Sequence, residues 1–185
     1  LVERSSHFSM AFSMQWVLAG RRKLEEGQRP YTSVRANHVH FLHDDIAAID
    51  TGRQLVRTRT QQLPYDELVI ALGAALVPEQ IPGLTEAAYN LCDASSVMKL
   101  KRSVEAFQRG TVLIAITSVP FKCPPSPYEY AFLIEEMLHK CGVRDAARII
   151  VTTPEPQPMP VAGKEIGAAM IALLASRGIE FFPGH

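Results

Sequence analysis

Apolar and polar positions change period partway along the chain, and that change predicts its organisation. Over residues 34–60 the pattern alternates, with Val39 and Phe41 on one parity, then Ile46 and Ile49. The β-branched run of residues 54–60 follows the turn-like Asp50-Thr51-Gly52-Arg53. Successive side chains of a strand point to opposite faces, so the stretch beginning at Val34 reads as two or three strands of an antiparallel ribbon. Ahead of it, residues 1–3 read as the tail of a buried strand and residues 10–26 as a loop and a short helix. Behind it, residues 66–71 are a short apolar run that leads to Gly73. This is the form of a buried strand whose exit leaves room for a close approach to the backbone.

Pro78 to Gly83 is punctuation, and the domain boundary is expected there, giving residues 1–83 and 84–185. Beyond it, Val97, Leu100, Val104 and Phe107 recur at helical spacing over residues 95–108. A regular alternation follows: strand 111–117, helix 127–141, strand 148–153, helix 162–177 and strand 179–182. Strand-helix repetition of this kind demands a parallel sheet with right-handed crossovers, so the fold class is α/β. Gly142 and Gly178 sit where a left-handed residue ends a helix, with Lys140 and Arg177 in the last turns.

Composition narrows the chemistry. Of 185 residues 47% are hydrophobic, enough for a sizeable core, and 19 basic against 19 acidic residues leave no net charge to attract a phosphate backbone. Nucleic acid is therefore not expected as a partner. The three cysteines, Cys92, Cys123 and Cys141, lack CxxC spacing, which argues against a disulfide framework and a structural zinc site. Apolar runs are too short to span a bilayer, and the first residues lack a leader pattern. The absence of an initial Met and the stop just after a strand suggest an internal piece.

The loop after the strand at 111–117 is where a doubly wound sheet binds ligands. Ser118-Val119-Pro120-Phe121-Lys122-Cys123-Pro124-Pro125-Ser126-Pro127-Tyr128-Glu129 holds four prolines and no glycine, so ordinary binding of a nicotinamide dinucleotide is disfavoured there. Ser126 and Glu129 are expected to form a capping box with Pro127 at the first helical position. Cys123, just ahead of that helix and beside Lys122, then reads as an activated thiol rather than a small buried residue.

Two stretches carry a resemblance to a known family. Tyr65-Asp66-Glu67-Leu68-Val69-Ile70-Ala71-Leu72-Gly73-Ala74 is similar to a flavin-adjacent signature of the FAD-dependent pyridine nucleotide-disulfide oxidoreductases. The Cys123 loop, continued by Gly142-Val143-Arg144-Asp145 and Thr153-Pro154-Glu155-Pro156, resembles the group of sulfide:quinone oxidoreductases and flavocytochrome c sulfide dehydrogenase flavoproteins. The resemblance implies a partial FAD-binding Rossmann-like domain followed by a second Rossmann-like domain, both truncated. It implies sulfide, or a related sulfur species, as substrate, with the cysteine matching Cys123 passing two electrons to FAD and onward to a quinone or a cytochrome. By the same match Glu3 and Arg4 lie by the adenosine ribose, Ile46 near the adenine, and Ala71, Gly73, Ala74 and Pro124 beside the cofactor. Cys92 lies near an additional cysteine of some members and is carried as a second catalytic candidate; Cys141 is read as structural. The GxGxxG loop expected before Glu3 is missing, so this piece is not expected to hold FAD normally. A cytoplasmic or peripheral membrane location, with membrane contact through absent segments, goes with this reading.

Other readings remain open. A type II NADH:quinone dehydrogenase-like flavoenzyme shares the implied fold and would use Glu155 as its ribose-binding acid. His38, His40, His43, Asp44 and Asp45 have residue types that suit a divalent metal. Lastly, the chain is compatible with an inactive folded fragment whose sheet edges are covered by another copy, a homo-oligomer. Trp16, with Met10, Phe12 and Met14, reads as core.

Overall fold

The computed structural model describes residues 1–11, 13–33 and 38–185, so Phe12 and the expected start of the alternation at Val34 lie outside the described residues. The chain divides into two units, Leu1–Ser13 with Arg22–Ala88, and Met14–Arg21 with Tyr89–His185. The changeover thus falls after Ala88, not at Gly83. Helix α1 (Ser13–Leu18) leaves the first unit after its first residue, because Met14, Val17 and Leu18 are buried while their sequence neighbours are not a core of their own.

In the first unit, β1 (Val2–Glu3), β2 (His7–Ser9), β3 (Gln28–Pro30) and β4 (Leu42–His43) form two small sheets. Strand β1 pairs parallel with β4, Glu3 opposite His43, and β2 pairs antiparallel with β3. The alternating stretch becomes β5 (Ile46–Asp50), β6 (Leu55–Thr58) and β7 (Gln62–Pro64), an antiparallel meander with a bulge between Ile46 and Ala48. Gln54 takes a positive φ of 52° in the β5–β6 turn, the conformation that lets a short hairpin reverse. Val39 and Phe41 fall outside any strand.

Two expectations fail here. Residues 66–77 form no strand, and Val69, Ile70 and Leu72 are 89%, 60% and 66% exposed. A strand exists only where neighbours take its backbone N–H and C=O groups, and among the described residues none pairs with this run. Residues 1–3 are likewise not buried: Leu1 is exposed, Val2 and Glu3 are half-buried, and among the described residues β1 pairs with β4 alone. The unit ends in the short helix α2 (Leu84–Ala87).

The second unit follows the sequence pattern closely: α3 (Ala94–Glu105), β8 (Gly110–Ala115), α4 (Ser126–Lys140), β9 (Ala147–Thr153), α5 (Lys164–Ser176) and β10 (Ile179–Pro183). The sheet is parallel with β9 in the middle, Ile149 lying opposite both Val112 and Ile179. Ile149 and Val151 are fully buried, and Val97, Tyr128, Ala131, Ile134, Leu138 and Leu174 from the helices bury with them. Gly142 and Gly178 end α4 and α5 with φ of 73° and 63°.

Arg144 ties two crossovers together. Its Nη1 donates to the Ala147 carbonyl at 2.8 Å, and its Nη2 to the carbonyls of Arg177 and Gly178 at 2.7 and 2.9 Å. It thereby satisfies carbonyls at the end of α5 and the start of β9 with one rigid fork. The buried Glu135 carboxylate lies beneath it, 3.7 Å from Arg144 Nε, and is also met by His139 and Arg177. Arg144→Ala is expected to cost about 3 kcal/mol of unfolding free energy, since it strands those carbonyls and loosens a buried carboxylate. Urea unfolding followed by circular dichroism measures this; a change near zero would show that the fork is ornamental.

Candidate functional site

A parallel strand hands over to its crossover helix at the strand's carboxyl end, so the turn between β8 and α4 projects from that end of the sheet. Cys123 sits in this turn, exposed and unpaired, with a φ of +55°. The left-handed region is unfavourable for a residue with a Cβ by roughly 1–2 kcal/mol, and here a short turn holds it: the Ser126 N–H donates to the Cys123 carbonyl at 2.9 Å. The flanking prolines, Pro124 and Pro125, restrict the chain on the far side of Cys123.

The expected capping box is absent. Pro125 is the N-cap and Ser126 the first helical residue, without any side-chain cap. Ser126 spends its amide on Cys123, and Glu129 is drawn elsewhere: Gln15 Nε2, from α1, donates to Ser126 Oγ and to Glu129 Oε2, both at 3.3 Å. A carboxylate only accepts, which fixes the amide nitrogen toward Glu129. Gln15 is buried, and its Oε1 has no hydrogen-bond partner among the described residues. The sequence carried a faint signal for it, one polar residue within Met14-Gln15-Trp16-Val17-Leu18.

Tyr130, a turn further along α4, is buried, with its hydroxyl donating to the Leu91 carbonyl at 3.3 Å. Burial, and after it the charges that Cys92, Glu129 and Cys123 can carry nearby, pushes its phenol above the usual tyrosine range. Cys92 is exposed just before α3, its N–H donating to Asn90 Oδ1. Cys141 closes the other end of α4 as its C-cap.

Two further polar atoms are buried near the ends of the strands. Tyr128 is fully buried, and its hydroxyl and the Glu155 Oε2 atom just beyond β9 have no hydrogen-bond partner among the described residues, Glu155 as a whole being half-buried. Burial first, and then Glu155, pushes the Tyr128 phenol up to about 12, and burial raises the Glu155 carboxyl.

In the first unit Glu3 ends a strand of a parallel pair, where an acid can meet a ribose, and its Oε1 accepts from the Ser5 N–H at 2.9 Å. Arg4 lies 3.8 Å from Asp45, and its carbonyl faces His43 Nε2 at 2.9 Å. Ile46 opens β5. Ala71, Gly73 and Ala74 lie in the exposed extended run; Gly73 has a φ of +72°, and nothing stands within 4 Å of where a Cβ would be. An acid at a strand end and open space above the Gly73 backbone fit a dinucleotide such as FAD. Among the described residues no three His, Cys, Asp or Glu side chains gather as metal ligands, so the histidines near β4 do not form the cluster considered above. Among the same residues no helix is long and apolar enough to cross a membrane.

Tyr128→Phe removes a hydroxyl that has no partner, so unfolding free energy at pH 7 should change by less than about 1 kcal/mol. The unfolded chain loses this proton first, near the ordinary value of 10.0, and the folded chain near 12. The stability tied to it is whole below pH 10 and declines as pH rises toward 12. Tyr128→Phe should flatten that decline in urea titrations; a large loss at neutral pH would mean the hydroxyl is bonded after all.

Comparison with known proteins covers nearly the whole chain. The family model for the central part of the sulfide dehydrogenase (flavocytochrome c) flavoprotein chain matches residues 97–161, which include the Cys123 turn. The mitochondrial sulfide:quinone oxidoreductase of Mus musculus is 31% identical over 146 residues, 75% of this chain and 32% of that protein. A type II NADH:quinone oxidoreductase of Staphylococcus haemolyticus is 23% identical over 193 residues, 98% of this chain and 48% of that one. The crystal structure of the sulfide:quinone oxidoreductase of Aquifex aeolicus shares the fold, with a TM-score of 0.87 and 24% identity over 100% of this chain and 44% of that chain. The chain spans less than half the length of each of these relatives. The family match, the curated relatives and the shared α/β fold together support the flavoprotein group of sulfide:quinone oxidoreductases and flavocytochrome c sulfide dehydrogenases for this chain.

Proposed function

We propose that the whole protein is an FAD-dependent oxidoreductase that oxidises sulfide, or a related sulfur species, at Cys123. The observation that carries this reading is the Cys123 turn: an exposed thiol, held in a left-handed conformation at the start of a 15-residue helix, at the ligand-binding end of a parallel sheet. An exposed thiol in this position can reach a bound sulfur species and exchange sulfur with it. Hydrosulfide would attack a disulfide or polysulfide that Cys123 forms with a second cysteine, for which Cys92 is a candidate; one S–S bond forms as another breaks, and the electron pair is left on the freed Cys123 thiolate. FAD, when bound, would accept that pair and release it to a quinone or a cytochrome. Glu3 would hold the ribose, Arg4 and Ile46 would flank the adenosine, and Ala71, Gly73, Ala74 and Pro124 would border the rest. A quinone acceptor is dissolved in lipid, so peripheral membrane contact belongs to the same proposal.

Oxidation of NADH is the second reading, supported by the Staphylococcus haemolyticus relative and by the position of Glu155 after the second strand of the unit. A ribose-binding acid must face its ligand charged and open. Glu155 instead has one oxygen buried rather than open, and the turn ahead of α4 has no glycine to admit a pyrophosphate. These features favour sulfide.

In the full-length protein, anaerobic sulfide should bleach the flavin absorbance, and Cys123→Ser should slow that bleaching by at least about a hundredfold, a loss in line with removal of a covalent nucleophile. Bleaching unchanged in the variant would overturn the role of Cys123. Bleaching by NADH and not by sulfide would decide for the second reading.

A further inference from the structure

We infer that Gln15 is a positioning residue for the Cys123 thiol, acting by holding the Glu129 carboxylate away from the Ser126 amide. The inference rests on Cys123 being the working thiol and adds the device that keeps it in shape.

A helix that begins with serine and has glutamate three residues on has two ways to use its first amide. In a capping box the glutamate carboxylate takes that N–H. In this protein the Ser126 N–H goes to the Cys123 carbonyl at 2.9 Å, closing the turn that keeps Cys123 at a φ of +55°. The two arrangements compete for one donor, so the Cys123 turn persists only while Glu129 is engaged elsewhere. Gln15 supplies that engagement, donating from Nε2 to Glu129 Oε2 and to Ser126 Oγ at 3.3 Å each.

The placement of Gln15 makes little sense otherwise. It is 6% exposed, on a six-residue helix whose Met14, Val17 and Leu18 are buried, and its Oε1 has no hydrogen-bond partner among the described residues. An unpaired buried acceptor is unfavourable, and leucine would fill the space without that cost. What Gln15 does that leucine would not is grip Glu129 and Ser126. If released, the Glu129 carboxylate would move to the first amide of α4. It would then set a negative charge beside the cysteine and take away the bond that closes its turn. Both effects change how the Cys123 sulfur is presented and slow its reaction.

The test reads Cys123 directly. In the reduced full-length protein, iodoacetamide alkylation is timed at each cysteine by mass spectrometry, with Cys141, at the opposite end of α4, as the internal reference. Gln15→Leu should slow Cys123 about fivefold relative to Cys141. Gln15→Glu, which repels Glu129 by like charge, should slow it in the same direction. Adding Glu129→Ala to either variant should restore the original rate, because the competitor is gone. A purely structural role for Gln15 predicts no such rescue. Unchanged Cys123 rates in both single variants, or double variants as slow as the singles, would overturn the inference. Alkylation rates do not depend on the substrate, so failure here is distinct from failure of Cys123→Ser to block sulfide oxidation.

Discussion

A parallel sheet cannot be turned by hairpins: each strand must be followed by a crossover, and each crossover helix must begin at the carboxyl end of the strand before it. That constraint organises the second unit. With β9 central and its Ile149 and Val151 buried, helices must cover the sheet, and the turns into α4 and α5 gather at one end. Cys123, the first turn of α4 and Glu155 are neighbours of that end because the topology leaves them nowhere else to be. The chemistry proposed for the protein is a use made of a place the fold creates in any case.

What distinguishes this protein is how it fills that place. A glycine-rich turn would expose amides to a pyrophosphate; here prolines stiffen the chain, and a cysteine takes the left-handed position. The first amide of α4 is spent on the cysteine carbonyl, and a buried glutamine from α1 occupies the carboxylate that would compete for it. Tyr128 is fully buried near the strand ends, and its hydroxyl and Glu155 Oε2 lack hydrogen-bond partners among the described residues.

The second unit was legible because its signals are local. Valine and leucine spacing in α3, the glycines after α4 and α5, and the strand runs each name their element without help from elsewhere. The turn at Cys123 was legible in place but not in detail: Ser126 and Glu129 have the spacing of a capping box, and only Gln15, 111 residues before Ser126, overrides it. The run at residues 66–71 misled for the opposite reason. Its composition is that of a strand, yet a strand is a relation between segments, and among the described residues nothing pairs with it. Arg144 was legible only within the Gly142-Val143-Arg144-Asp145 resemblance, and its structural role was illegible because it joins carbonyls at Arg177 and Gly178 that are distant in sequence.

The central claim is that sulfur is handled at Cys123. The direct measurement is peptide mass spectrometry of the full-length protein, trapped by rapid alkylation after brief anaerobic exposure to sulfide. The account predicts a mass gain of one or more sulfur atoms on the peptide carrying Cys123, and none on that carrying Cys141. Sulfur found only elsewhere, with Cys123 recovered as an unmodified thiol throughout turnover, would contradict it.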